Sequence, residues 1–322
     1  MAVFIVRHRT HYHYSEAVTL GPQRLVIRPR DSHDLRLLDA TLMVSPPASR
    51  TRWLHDIYDN SIAILEFEGT TQDLIVESRL LIDNYGYDKP RLPVEPFAET
   101  WPFDYRAEEA VDLEPWTRRQ FKDPEGRLTC WVRQLVNNKI EYPTQDLLVA
   151  MMRRIKDELP YSVRYEEGIR NPLETLEKGG TCRDFAVLMI EAARILGFAA
   201  RFVSGYLYVP PVQIASDRNG EQSDHDKDDA AAGVPLAAPI VGGGSTHAWV
   251  QIYLPGAGWV EFDPTNALYG GADLVRIAIA REPALVSPVS GSFKGPLGIR
   301  ATLKVDVDVQ LLKDEPIPER LS

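Results

Sequence analysis

Cysteine is scarce in this chain: Cys130 and Cys182 are the two among 322 residues. Two cannot make a disulfide framework, so the fold must rest on apolar burial. Basic charge is short as well. Lys and Arg number 36 against 46 Asp and Glu, a formal net charge of -10. That balance argues against nucleic acid and anionic membranes as main partners, because both are held by basic patches that release counterions. No uninterrupted apolar stretch approaches the about 20 residues of a spanning helix. The opening Met1-Ala2-Val3-Phe4-Ile5-Val6-Arg7-His8 lacks the basic leader and long apolar run of an export signal. A cytoplasmic location with no membrane partner is the resulting expectation. An internal repeat is absent too, which removes solenoids and propellers.

What the chain does have is apolar residues in two different rhythms. At 44% hydrophobic and 25% charged, it can bury sizeable cores and is long enough for two domains. Up to about residue 88 the pattern alternates in short strands, punctuated by Pro46-Pro47, Asp59-Asn60 and Gly69-Thr70-Thr71. A Pro-rich stretch from Pro90 to Pro102 follows, after which helical spacing covers Glu108 to Phe121, Glu125 to Val136 and Gln145 to Leu159. Strict alternation returns over Thr302 to Leu311. The fold class expected is α+β: an all-β domain over residues 1–100, a mixed domain over 101–290, and a segment over 291–322 whose strand packs on the first domain. Cys130, inside an apolar-periodic helix, is expected to be reduced and buried.

Three segments carry chemistry. Gly179-Gly180-Thr181-Cys182 is a tight turn and a capping residue, and Phe185, Met189, Ala192, Ala193 and Leu196 then recur at helical spacing. Cys182 therefore belongs in the first turn of a buried helix, where free N–H groups and the helix dipole favour an anion, and a thiol is nucleophilic as its thiolate. The other two are strands. His247, Trp249, Gln251 and Tyr253 share one face by period two, as do Trp259, Glu261 and Asp263, with Pro255-Gly256-Ala257-Gly258 as the turn between them. Pairing Tyr253 with Trp259 makes His247 a diagonal neighbour of Asp263. One ring nitrogen can then be held by the carboxylate while the other serves the thiol.

The order Cys182, His247, Asp263 resembles the transglutaminase-like superfamily of cysteine acyltransferases and peptidases, and its bacterial branch in particular. His8-Arg9-Thr10-His11-Tyr12-His13-Tyr14, Leu20-Gly21-Pro22-Gln23-Arg24-Leu25 and Arg28-Pro29-Arg30 look like that branch's N-terminal region. Arg201 to Leu207 and Leu254 to Trp259 look like its catalytic core. The resemblance implies a β-sandwich ahead of a papain-like core, with Cys182, His247 and Asp263 as catalytic triad. Two segments depart from the pattern. Where the branch reads Asp-His-Ile-Arg-Val-Ala-Val-Gly-Arg-Asp-Tyr, this chain has Asp273-Leu274-Val275-Arg276-Ile277-Ala278-Ile279-Ala280-Arg281-Glu282-Pro283. The usual Asp-x-x-Gly-Asn turn is Asp56-Ile57-Tyr58-Asp59-Asn60, which still offers residues tolerant of positive φ.

The chemistry expected is attack of Cys182 on a peptide or amide carbonyl through a thioester, ending most often in hydrolysis. The alternatives are a true protein-glutamine transglutaminase or deamidase, and an idle peptide-binding module on the same fold. No cofactor is needed, and the expected partner is a peptide or protein substrate. Tyr161 and Tyr165 precede the nucleophile helix and are candidates for a second oxyanion donor, with core packing as the competing role. No metal is expected. Asp224, Asp226 and Asp228 have calcium-loop spacing, but Asp229 and Pro235 stand where that loop needs Gly and Glu. The stretch from Val212 to Gly244 reads instead as a solvated, mobile insertion leading into His247, with two alternatives open: a plain flexible insertion, or a lid over the cleft. His11 and His13 share a strand face that His8 does not, which reads as a strand surface.

Overall fold

One long strand, β1 (Ala2–Arg28), organises the N-terminal region. In the computed structural model, residues 2–86, 92–137, 140–162, 168–210, 241 and 244–314 are described. The calcium-loop positions and nearly all of the Val212–Gly244 stretch lie outside them, as does Tyr165. Along β1, Phe4, Val6, His8 and Thr10 are buried while Arg7 and Arg9 are exposed, the period-two signature of a strand with one covered face. Four more strands follow: β2 (Leu35–Ser45), β3 (Arg50–His55), β4 (Ser61–Glu66) and β5 (Thr71–Asn84). The first half of β1 is flanked by β5 on one edge, and β2 lies outside β5; the second half pairs with β4, and β3 lies outside β4. The turn before β4 uses Asp59 at φ +67°, a conformation Asp tolerates.

A helical layer and a second sheet come next. The helices are α1 (Ala107–Thr117), α2 (Arg127–Val136), α3 (Thr144–Glu158), α4 (Pro172–Lys178) and α5 (Cys182–Ile195). A two-residue ribbon of β6 (Thr100–Trp101) and β7 (Tyr142–Pro143) ties the entry of this region to the start of α3. The sheet consists of β8 (Ala200–Leu207), β9 (His247–Leu254), β10 (Gly258–Asp263), β11 (Leu268–Tyr269) and β12 (Leu274–Ala280), in the order β11-β10-β9-β8-β12, antiparallel throughout. Two further strands, β13 (Val289–Lys294) and β14 (Ala301–Asp314), return to β1 on the edge opposite β4 and β5. The chain is thus a mixed fold of strands and helices, and β1 is a strand in common to the early and the last strands.

Every residue of α5 from Asp184 to Arg194 is buried, so this helix is surrounded rather than laid on a surface. It packs on β8 and β9, with α2 and α3 alongside, in one apolar core that also takes in Phe4, Val6, Leu80 and Ile82 from the N-terminal sheet. Tyr14, Val18, Leu25, Leu65 and Leu74 form a separate core among the N-terminal strands. Polar clamps join the two regions. Asn60 donates to the Ile279 carbonyl at 2.7 Å and accepts from the Ile279 N–H at 2.9 Å, and Asn84 donates to the Gly271 carbonyl at 2.9 Å.

Cys130 is exposed rather than buried. The inward face of α2 is Leu128, Val132 and Val136, and two residues beyond Leu128 the helix has turned about 200°, which points Cys130 to solvent.

Inside the core sits an ion pair, Glu191 with Arg194, 2.9 Å apart and both side chains fully covered. Glu191 also accepts from the Gln120 and Phe121 N–H groups, and Arg194 donates to the Trp116 and Ala200 carbonyls. These contacts anchor the chain after α1 to α5. Removing one member of a buried pair strands the other charge, which costs about 3–5 kcal/mol. Arg194→Met is therefore expected to lower unfolding stability by about that amount in denaturant titration, and adding Glu191→Gln is expected to recover part of it. A loss below about 1 kcal/mol in the single variant would mean the pair does not hold this junction.

Candidate active site

The Cys182 position is built from glycine, a cap and a buried carboxylate. Gly179 adopts φ +68°, and a Cβ there would lie 1.9 Å from the Pro160 carbonyl oxygen. Glycine is the residue that satisfies both constraints. At Gly180 a side chain would strike Asp184. The turn is strapped to the preceding segment by the Ser162 N–H donating to the Gly180 carbonyl at 2.9 Å. Thr181 then caps α5: its N–H and hydroxyl both donate to Asp184 Oδ2, at 2.9 and 3.0 Å. Asp184 Oδ1 accepts from the Arg170 N–H at 2.7 Å. The cap leaves Cys182 as the first helical residue, 7% exposed at the edge of the core.

The hairpin of β9 and β10 has the register the alternation predicts, with Trp259 opposite Tyr253, Val260 opposite Ile252 and Phe262 opposite Val250. His247 Nε2 consequently lies 2.8 Å from Asp263 Oδ2, and both side chains are fully covered. An ionised carboxylate can only accept, so Nε2 carries a proton. Nδ1 is buried without an aligned hydrogen-bond partner among the described residues, and the ring's remaining polar interaction is with the Cys182 thiol. Burial on its own would lower the His247 pKa. The Asp263 charge and hydrogen bond overcome that, aided by Cys182, and the net shift is upward. At Asp263 burial favours the neutral acid, yet the His247 charge and the hydrogen bonds it accepts hold it below its ordinary value.

Asp263 is fixed from three sides. Oδ1 accepts from the Thr265 N–H at 2.8 Å, and Oδ2 accepts from Asn266 Nδ2 at 2.9 Å as well as facing the imidazole. Asn266 was not visible as a site residue in the sequence. Its one signal there is position, three residues after the aspartate in Asp263-Pro264-Thr265-Asn266, where an amide reads as a turn former. Asn266 also exchanges two hydrogen bonds with the Val241 backbone, at 2.9 and 3.1 Å, so it holds the chain just before His247 to the carboxylate that faces the imidazole.

Behind the imidazole, Trp249 stacks on the His247 ring with centroids 6.0 Å apart. Its indole N–H donates to Glu261 Oε2 at 2.5 Å, Gln251 donates to Glu261 Oε1 at 2.7 Å, and Arg276 reaches Oε1 at 3.0 Å. Burial pushes the Glu261 carboxyl up, opposed by the Arg276 charge and these two donors. Arg276 continues to Asp34 at 2.9 Å in the N-terminal region. Gly205, paired with His247 across the sheet, is bare because a Cβ would meet the Trp249 ring at 2.6 Å and the Val275 carbonyl at 2.2 Å. The sequence places Glu261 on the same face as Asp263 but gives no sign that it anchors this network.

Tyr161 is half-buried beside the same turn, its ring edge-on to Phe185 at 6.1 Å. Burial first, and then the nearby Cys182 and Asp263, push its hydroxyl up to about 12, so it stays a protonated donor at neutral pH. The three residues expected to work together, Cys182, His247 and Asp263, are brought together.

Two family models match the chain: the bacterial transglutaminase-like N-terminal region over residues 4–83, and the transglutaminase-like superfamily over residues 132–264. Uncharacterized proteins of Mycobacterium tuberculosis and Mycobacterium bovis are each 26% identical over 303 residues, spanning 89% of this chain and 86% of their own length. An uncharacterized protein of Mycobacterium leprae is 29% identical over 134 residues, 42% of this chain and 38% of that one. A crystal structure from Cytophaga hutchinsonii, described as that of a candidate cysteine protease, has a TM-score of 0.64 at 19% identity and covers 100% of this chain and 94% of its own. That likeness carries the fold. The two matched regions stand in order, and the second contains Cys182, His247 and Asp263, so the chain belongs to the transglutaminase-like superfamily, in the form that carries a bacterial transglutaminase-like N-terminal region.

Proposed function

We propose that this protein is a cysteine-dependent acyl-transfer enzyme acting on peptide or amide carbonyls, with water as the usual acceptor. The observation that carries the reading is the fully covered His247–Asp263 pair at 2.8 Å, with the imidazole's other polar interaction made to a thiol at the start of a helix. A structural histidine has no need of a buried carboxylate on one nitrogen and a thiol as its other polar neighbour. The earlier strands and the returning β13 and β14 are read as a β-sandwich folded about β1, with the catalytic unit following from about residue 101.

In the proposed reaction Cys182 and His247 stand as a thiolate–imidazolium pair, the thiol's proton held on the imidazole, and the sulfur adds to the substrate carbonyl carbon. The Cys182 backbone N–H, unpaired within the first helical turn, faces the developing oxyanion, and the Tyr161 hydroxyl is the second donor. Collapse breaks the C–N bond. His247 returns its proton to the departing amine, leaving a thioester on Cys182. Water, deprotonated by His247, then attacks the thioester, releasing a carboxylic acid and restoring the thiol. An amine in place of water would give transamidation. Asp263 holds the imidazole in one tautomer and stabilises its cationic form; Asn266 and Thr265 hold Asp263.

A peptide library and glutamine peptides, assayed for cleavage, ammonia release and amine incorporation, test this reading. Cys182→Ala is expected to abolish turnover, and Asp263→Asn to reduce kcat about 10³–10⁴-fold while the circular dichroism spectrum is kept. Near wild-type turnover in Asp263→Asn would remove the carboxylate from the mechanism.

The pair also sets a pH dependence of stability. The raised His247 pKa contributes fully below the ordinary 6.5 and is lost as pH rises through the higher folded value. The lowered Asp263 pKa contributes fully above the ordinary 3.8 and is lost as pH falls through the folded one. The Tm difference between wild type and Asp263→Asn is therefore expected to be widest between pH 3.8 and 6.5 and to narrow as pH rises further. A difference that is constant from pH 5 to about 9 would show that the pair is not ionised in the folded protein.

A further inference from the structure

Three polar side chains converge on the outer face of the N-terminal sheet, on the opposite side of β1 from its covered face. His11 and His13 are two apart on β1 and project together, and Asp73 on β5 lies directly opposite His13. His11 Nε2 and His13 Nδ1 each lie 2.8 Å from the same carboxylate oxygen, Asp73 Oδ1. The three ligand atoms all fall within 4.8 Å of one another. His8 takes no part: it points the other way and is buried against Tyr206 and Thr10.

We propose that His11, His13 and Asp73 form a surface site for a divalent transition metal ion of the zinc class. Two imidazoles and one carboxylate are a common donor set for zinc, and a fourth position facing solvent is left to water. The size is right. Ligand atoms about 2.0–2.1 Å from a tetrahedral ion stand about 3.3–3.4 Å apart, so Asp73 needs to withdraw about half an ångström to admit the ion between its oxygen and the two nitrogens. It is free to do so, because its side chain is 47% exposed. Its backbone is fixed, with the Asp73 N–H donating to Thr71 Oγ1 at 3.1 Å and the Thr71 hydroxyl donating to the Asp73 carbonyl at 2.8 Å.

Lys304, opposite His11 on β14, is the cation nearest in register, and its ammonium is engaged by Asp306 at 3.1 Å. Strand pairing orients two ligands on one rigid strand and the third on its neighbour, so little ordering is required on binding. A bound ion would join β1 to β5 in addition to their ladder. This site is about binding and is independent of the acyl-transfer reading.

The test is calorimetric titration of the untagged full chain with Zn²⁺ in a Cys130→Ser, Cys182→Ala background, so that thiols do not compete. Expected is a site of one equivalent that weakens at least about tenfold in each of His11→Ala, His13→Ala and Asp73→Asn. Zn²⁺ is also expected to raise the Tm of the parent but not of the variants, because an ion that binds the folded state stabilises it. Co²⁺ in place of Zn²⁺ should give the intense visible bands of tetrahedral coordination. All three side chains are partly or largely exposed, so the variants are expected to melt like the parent without metal. Failure to bind an equivalent of Zn²⁺, or binding unchanged by the three substitutions, would overturn the proposal and leave a hydrogen-bonded surface triplet.

Discussion

Burial of the His247–Asp263 pair is the constraint around which the rest of this structure is arranged. Two ionisable groups with no solvent contact carry a desolvation cost of several kcal/mol each, recovered only if their geometry is good and their remaining lone pairs are filled. The fold meets that demand around the carboxylate and along one face of the imidazole. Thr265 and Asn266 fill the carboxylate, Trp249 covers one face of the imidazole, and Glu261 fixes Trp249 by its indole N–H. Glu261 is itself a buried carboxylate and brings the same problem one step outward. Trp249, Gln251 and Arg276 answer it, and Arg276 ends on Asp34 in the N-terminal region. A line of charge and hydrogen bonds thus runs from the imidazole to a different part of the chain.

That line changes how the N-terminal strands are to be understood. The two matched family regions are separate in sequence, yet the larger core draws on Phe4, Val6, Leu80 and Ile82 together with α5 and β9. Asn60 and Asn84 each bond backbone next to or within β12. β14 reaches the same neighbourhood from the other end, where the Val307 N–H donates to the Gly244 carbonyl, three residues before His247. The loop entering β9 is therefore held by Asn266 from the turn after β10 and by Val307 from the strand paired with β1. The N-terminal region forms part of the support for the histidine.

What the sequence made legible was whatever local periodicity controls. The Gly179-Gly180-Thr181 turn and the apolar spacing after it locate Cys182 at a helix start, and alternation with a Gly-containing turn sets the hairpin register, since a slip of one residue would reverse every side chain. Long-range partners were illegible. Asn266 looked like part of a turn because its work is done through Val241, across a stretch with no pattern of its own. Glu261 shares a face with Asp263, but its value depends on Arg276, three strands away in the same sheet, and on Asp34 in a loop of the N-terminal region, and sequence spacing gives neither strand order nor loop placement. Asp73 was invisible beside His11 and His13 for the same reason, being brought to them by the pairing of β1 with β5. Cys130 is a different failure. Leu128, Val132 and Val136 define the inward face of α2, and the helical place of Cys130 overrides cysteine's usual preference for burial.

The segment after the hairpin shows how a departure from a family pattern can leave a buried polar network intact. Asp273 to Pro283 differs from the usual run at several positions, yet Arg276 remains, and it is the residue that neutralises Glu261 and meets Asp34. Arg281 also remains and donates to the Pro115 carbonyl at the end of α1. The apolar exchanges at Val275, Ile277 and Ile279 fall on covered or half-covered positions of β12, where hydrophobic exchange of suitable volume is tolerated. An arginine bound to two carboxylates has no such latitude, because its loss would leave Glu261 charged and uncompensated beneath the tryptophan that backs His247. Charge compensation of this kind ties Arg276 to the histidine through Glu261 and Trp249, without contact with either Cys182 or Asp263.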